Sequence, residues 1–208
     1  MEMVQDPLNL IICGVGGQGN ILIASILAAS FHQKGYRITV GDTFGAAQRG
    51  GAVFSSLRVS ARKLYGPLIP SGKAHIILGL EPLETLRLLI QYGNPEIVCI
   101  TNISPIYPVG VIAHNLRYPN IEELKKSILD LSKSAHFIDA ADMARRLGLQ
   151  ISMNMIMLGI LIASGLLPVK KEDVLEEMKR IFPPVRLPAN LQAFELGIHS
   201  IASETEIH

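Results

Sequence analysis

Three glycines spaced as Gly14-x-Gly16-x-x-Gly19 form the pattern with the clearest chemical meaning in this sequence. An apolar run over residues 8–13 precedes them and an Ala/Leu/Ile-rich stretch over residues 20–34 follows, which predicts a buried strand, a tight turn and a helix. In that setting glycines let phosphate oxygens approach the backbone N–H groups at a helix N-terminus. We therefore expect an anion-binding loop made of Gly14, Gly16, Gly17, Gln18 and Gly19.

A second loop of small residues, 45–51, surrounds Gln48 and Arg49 and follows a strand predicted to begin at residues 36–40. If the two strands are parallel, both loops leave the same end of the sheet and should border one crevice. Gln18 and Gln48 could then donate hydrogen bonds to a ligand, and Arg49 could bind a phosphate or carboxylate bidentately. The alternative is that Arg49 binds a carboxylate of a partner and only stabilises an interface.

Asp42 supports a rival interpretation of the same glycines. It falls at the end of the second predicted strand, where a dinucleotide-binding protein places the acid that binds the ribose. A free-standing NAD-binding oxidoreductase of the Rossmann type is therefore an alternative. A further alternative is that the glycines only permit close packing of strand and helix.

Several catalytic and cofactor patterns are missing from the sequence. It has two cysteines, Cys13 and Cys99, each within an apolar run, so neither a zinc site nor an iron–sulfur cluster is expected on this chain. No Gly-Asp-Gly thiamine motif, P-loop lysine, His-Glu-x-x-His or Gly-x-Ser-x-Gly occurs, and the six histidines lack ligand spacing. Glu81 precedes Pro82 and is interpreted as the start of a helix. We expect no catalytic residue and no metal in this chain, and a binding or supporting role.

The remaining elements predict an α/β fold. Strands are expected at residues 52–60, 74–80, 96–101 and 136–139, with a short one at 109–114, and helices at residues 82–91, 121–132, 140–147, 152–164, 172–182 and 189–201. We expect a Rossmann-like, mostly parallel sheet with helices on both faces and a helical C-terminal tail, in a single domain over residues 1–208.

The composition of the chain limits the classes of partner that we expect it to bind. Of the 208 residues, 49% are hydrophobic and 18% charged, which suggests either a large core or an apolar surface that a partner covers. The net charge of +1 and the lack of Trp give no reason to expect nucleic acid. No signal peptide or membrane span is recognised, so we expect a cytoplasmic protein that does not bind membranes.

The two loops together resemble a known family, the small subunits of the 2-oxoacid:ferredoxin oxidoreductases. The likeness is strongest to the beta subunit of indolepyruvate oxidoreductase, followed by the gamma subunits of the pyruvate and 2-oxoglutarate enzymes. It covers nearly the whole chain. It is carried by residues 14–19, 25–28, 42–53, 80–84, 154–159 and 190–194.

The resemblance implies a role within a complex. In this family a 2-oxoacid is oxidatively decarboxylated on thiamine diphosphate with magnesium. The likeness to the indolepyruvate enzyme implies that an aryl pyruvate is among the candidate 2-oxoacids. Electrons pass through iron–sulfur clusters to ferredoxin, and coenzyme A takes the acyl group as co-substrate. The resemblance implies that larger partner subunits carry those cofactors and that this chain is a cofactor-free, non-catalytic subunit, inactive alone. Its Gly-rich loop would bind coenzyme A or another anion.

Overall fold

All six described strands belong to one sheet. The computed structural model describes residues 5–44, 51–106, 117–148 and 152–204. The strands are β1 (Leu8–Val15), β2 (Arg37–Phe44), β3 (Ala52–Ser60), β4 (Ile76–Gly79), β5 (Val98–Asn102) and β6 (Ser134–Ile138), and they lie in the order β2-β3-β1-β4-β5-β6.

Seven helices within the described residues cover the two faces of this sheet. They are α1 (Asn20–Gln33), α2 (Pro82–Tyr92), α3 (Ile121–Asp130), α4 (Ala140–Arg146), α5 (Met153–Ala163), α6 (Lys171–Ile181) and α7 (Leu187–Glu204). The larger core lies between one face and the helices α1, α4, α5, α6 and α7. The smaller core lies on the other face, under α2 and α3. The predicted α/β class with helices on both faces and a helical tail is confirmed.

The direction of the strands confirms a mostly parallel sheet and corrects one detail. β1, β4, β5 and β6 pair in parallel, whereas β3 is antiparallel to both β1 and β2. β1 and β2 therefore point the same way, as predicted, but β3 lies between them. The sequence suggested a simple strand–helix–strand unit, and its periodicity could not show that the next strand inserts into the middle.

Alternation along β3 was predicted correctly. Ser55, Leu57 and Val59 are fully buried on the face of the larger core, and Phe54 packs against the smaller core. β2 continues to Phe44, two residues beyond Asp42, which was predicted to lie at its end. The predicted short strand at residues 109–114 lies outside the described residues.

The helical tail is held by a close crossing of α5 and α7. A Cβ on Gly159 would lie 2.2 Å from the carbonyl oxygen of Phe194, and one on Gly197 would lie 2.1 Å from that of Ile156. These distances leave room only for glycine, so the two helix backbones pack directly against each other. This crossing fixes the start of α5, which borders the site described next.

Candidate functional site

The Gly-rich loop forms a tight turn between β1 and α1. Gly17 and Gly19 have φ of 100° and 89°, a backbone conformation that favours glycine. No side chain caps α1, whose N-cap residue is Gly19. Among the described residues, no acceptor takes the backbone N–H of Gly17, Gly19 or Asn20. Within the described residues the loop thus has unbonded donors at the positive end of a helix dipole, as an anion site requires.

Gln18 closes the base of this loop. Its Oε1 accepts from the Val15 N–H at 2.6 Å and its Nε2 donates to the Leu80 carbonyl at 2.8 Å. The side chain therefore bridges the segments that follow β1 and β4. Gly14 makes room for it, since a Cβ there would lie 2.4 Å from Oε1. We call these contacts the Gln18 bridge. They use Oε1 and one of the two Nε2 hydrogens, so the role of Gln18 as a donor to a ligand stays a prediction.

Two asparagines flank the loop, and sequence reasoning gave neither of them a role. Asn20 is 4% exposed; its Nδ2 donates to the Val53 carbonyl, whereas its Oδ1 is buried without a partner among the described residues. Asn154, at the start of α5, packs so closely that a Cβ on Gly19 would lie 2.2 Å from its Nδ2. The available signal was a buried asparagine inside an otherwise apolar helix, since such polar groups demand partners.

The second predicted loop meets the first at one point within the described residues. Gly16 donates its N–H to the carbonyl of Gly51 at 2.9 Å, and Val15 is paired with Ala52. The end of the second loop is therefore beside the Gly-rich turn. Gln48 and Arg49 lie outside the described residues, so their place in the site stays a prediction.

Asp42 does not occupy the position that the NAD alternative needs. β3 lies between the strand of Asp42 and β1, so the two strands are separated by two strand spacings of about 4.8 Å each. The Asp42 carboxylate is exposed and accepts a hydrogen bond from Ser55 on β3. The crevice between β1 and β4, where the flanking helices change face, is spanned by the Gln18 bridge. This arrangement removes the geometric basis of the NAD alternative.

The carboxyl ends of β4 and β5 carry a buried polar cluster. Glu81, as predicted, starts α2: its carboxylate accepts from the Glu84 N–H at 2.8 Å and also from the Tyr118 hydroxyl. Asn102 donates to the same Leu80 carbonyl as the Gln18 bridge does, at 3.1 Å. Burial raises the pKa of Glu84, against the opposing effect of the Arg87 guanidinium. With Glu81, Asn102 and the Gln18 bridge all bonded within the protein, the cluster orders this end of the sheet.

Both cysteines are buried against the smaller core. Burial raises the pKa of Cys99 to about 12 and raises that of Cys13 as well. A thiol in such surroundings resists the deprotonation that iron or zinc binding requires. Among the described residues no group of three or more His, Cys, Asp or Glu side chains is placed to hold a metal. Nor does any helix in that part of the chain have the length and apolar character needed to cross a membrane.

Comparison with known proteins identifies the family of this chain. Residues 9–200 match the model of the pyruvate ferredoxin/flavodoxin oxidoreductase family. The chain belongs to that family. It is 35% identical over 191 residues to the indolepyruvate oxidoreductase subunit IorB of Thermococcus kodakarensis, covering 91% of this chain and 94% of that one.

Two solved structures share the fold. The gamma subunit of a keto/oxoacid ferredoxin oxidoreductase from Geobacter sulfurreducens superposes with a TM-score of 0.66 at 20% identity, over 94% of this chain and 99% of that one. The 2-oxoglutarate:ferredoxin oxidoreductase from Magnetococcus marinus, solved with 2-oxoglutarate, coenzyme A and succinyl-CoA bound, gives 0.70 at 22% identity. The match spans 98% of this chain and 32% of that longer one. The small-subunit fold therefore also occurs as one part of a larger polypeptide.

Proposed function

We propose that this chain is the small, cofactor-free subunit of a 2-oxoacid:ferredoxin oxidoreductase complex. The observation that carries this proposal is the likeness, over 91% of this chain and 94% of the relative, to a protein that is itself an oxidoreductase subunit. The 35% identity to that indolepyruvate subunit favours an aryl pyruvate as the 2-oxoacid. The complex would decarboxylate the 2-oxoacid, reduce ferredoxin and form an acyl-CoA.

The chemistry of this chain's own residues supports the proposal that other subunits carry the cofactors. Its two cysteines are buried thiols with raised pKa values, which are poor ligands for iron–sulfur clusters. The carboxylate of Glu81 is committed to a helix start and to Tyr118. We propose that thiamine diphosphate, magnesium and the clusters lie on the larger partner subunits, as the family resemblance implies, and that these subunits pass electrons to ferredoxin.

Purification of the native complex tests this role. We expect the chain to migrate with a larger chain that contains thiamine diphosphate and shows iron–sulfur absorbance. The complex should reduce ferredoxin with indolepyruvate and coenzyme A, and the isolated chain should not. A chain that runs as a lone monomer in cell extract, or that reduces a dye with a 2-oxoacid by itself, contradicts the proposal.

Within the complex, the free N–H groups of Gly17 and Gly19 are proposed to bind an anion. Asn154 Nδ2, which packs beside Gly19, extends this set of donors. Arg49 is the proposed cationic member, with Gln48 as a further donor. The candidates for the anion are the phosphates of coenzyme A and a charged group near the partner's thiamine.

Two substitutions separate ligand binding from assembly. Asn154→Ala should raise the KM for coenzyme A about fivefold, the effect of one lost hydrogen bond, with assembly unchanged. Asn190→Ala, which removes a carboxamide bonded to the Arg186 carbonyl, is the matched control. For Arg49→Ala, an intact complex with a raised KM supports anion binding, and loss of assembly supports an interface role. If Asn154→Ala and Arg49→Ala both leave assembly and kinetics unchanged, the anion-binding role and the interface role are both refuted.

A further inference from the structure

On the face of the sheet that α1 covers, the outermost of the described strands is only partly covered. β2 is an edge strand, and on this face its Ile38 and Val40 are paired with Val59 and Leu57 of β3. The two β3 residues are fully buried, whereas Val40 is 38% exposed. The apolar surface therefore continues past the reach of α1 to the edge of the sheet.

A groove of about 740 Å³ runs between this strand and α1. We call it the α1–β2 groove. Its helical wall consists of two small side chains, Ala28 and Ala29, and of His32 one turn further along α1. Leu64, 65% exposed, forms part of its rim. The groove is lined by Ala28, Ala29, His32, Gly35, Tyr36, Arg37, Ile38, Val40 and Leu64.

The groove offers a cationic side chain without a neighbouring carboxylate. Arg37 lines it, and none of the other described lining residues is an Asp or a Glu. Within the described part of the chain, Arg37 makes no ion pair. Lys63, next to Leu64 in the chain, has its ammonium group 5.1 Å from the centre of the Tyr65 ring. An occupant that combines apolar residues with carboxylates would complement this lining.

We infer that the α1–β2 groove receives an amphipathic helix of the larger oxidoreductase subunit, with an apolar stripe on Val40 and Ile38 and a carboxylate facing Arg37. This inference rests on the proposed function, which supplies a larger subunit. A helix fits because it would extend the layer of helices on this face by one position. Its apolar stripe would bury Val40, whose β3 neighbours are already covered.

Co-purification of variants with the larger subunit tests the inference. Val40→Glu places a charge in the apolar contact and should weaken assembly by at least about tenfold. Ile90→Glu is the matched control, because Ile90 is 70% exposed on α2, which packs on the opposite face of the sheet. Arg37→Glu should weaken assembly and Arg37→Lys should preserve it. Unchanged thermal midpoints of the isolated variants show that each remains folded.

The outcomes distinguish this inference from the proposed function. If the wild-type chain and Val40→Glu bind the larger subunit equally well, the α1–β2 groove is not the contact with that subunit, and the proposed function stands. If the wild-type chain finds no larger partner, both fail. If the isolated chain forms a dimer that Val40→Glu dissociates, the occupant is a second copy and the assignment to the larger subunit is overturned. Hydrogen exchange gives an independent check: amides of β2 and α1 should exchange more slowly in the complex, and unchanged exchange contradicts the inference.

Discussion

The central strands β1 and β4 are tied together at both ends, by different chemistry. At the carboxyl end the Gln18 bridge joins the segments that follow the two strands, and both of its hydrogen bonds use a neutral carboxamide. At the amino end the backbone N–H of Asn9 donates to the imidazole Nδ1 of His75 at 2.9 Å, and the backbone N–H of His75 donates to the Asn9 carbonyl at 2.9 Å.

The two kinds of hydrogen-bonded link suit different surroundings at the two ends of the sheet. The carboxyl end borders the proposed anion site, and a neutral bridge holds the loop there without a competing charge and without titrating near neutral pH. The amino end uses an imidazole, which accepts the Asn9 N–H only while its Nδ1 is unprotonated. We therefore expect the two ends to respond differently to substitution and to pH.

The largest effect is expected at Gly14. Gly14 is in β1 without a positive φ, so alanine suits its backbone, but the new Cβ would lie 2.4 Å from Gln18 Oε1 and 3.0 Å from Leu80 Cβ. Gly14→Ala should therefore displace the Gln18 bridge and lower the free energy of unfolding by about 2–3 kcal/mol, as measured by denaturant unfolding.

A double-mutant cycle sharpens this prediction. If the clash with Gln18 causes most of the loss, Gly14→Ala should cost much less in a Gln18→Ala background than in the wild type. Additive effects of the two substitutions would show that the glycine serves another purpose. Gly66→Ala is a suitable control, because a Cβ there meets no atom within 4 Å.

The carboxyl end also shows what the sequence could predict. The order of strand, turn and helix followed from the apolar run and the glycine spacing, both of which are local signals. The insertion of β3 between β1 and β2 did not follow, because strand pairing depends on contacts distant in sequence. Gln18 was correctly placed in the loop. Its bond to Leu80 was not predicted, because that residue is 62 positions away.

Glu81 and Asn154 show the same limit on what can be predicted from the sequence. Glu81 was interpreted correctly as a helix start because proline follows it, and the capping hydrogen bond is local. Asn154 was assigned no role because its position beside Gly19 depends on the α5–α7 crossing at Gly159 and Gly197. Local chemistry could be predicted from the residues, and the meeting of distant segments could not.

The smallest effect is expected from protonation of the amino end. Burial lowers the pKa of His75, and nearby Lys73 lowers it further. The unfolded chain therefore binds a proton at His75 at a higher pH than the folded chain does. Stability that is present above the ordinary histidine pKa of about 6.5 should be lost as pH falls through that value toward the lowered folded pKa.

His75→Asn, which keeps a side-chain acceptor without titrating, should lose less stability than the wild type over this window. Thermal unfolding of both proteins between about pH 8 and pH 5.5 measures the difference. Equal losses would show that the titration of His75 does not couple to folding, and the contrast between the two ends of the sheet would then rest on Gly14 and Gln18 alone.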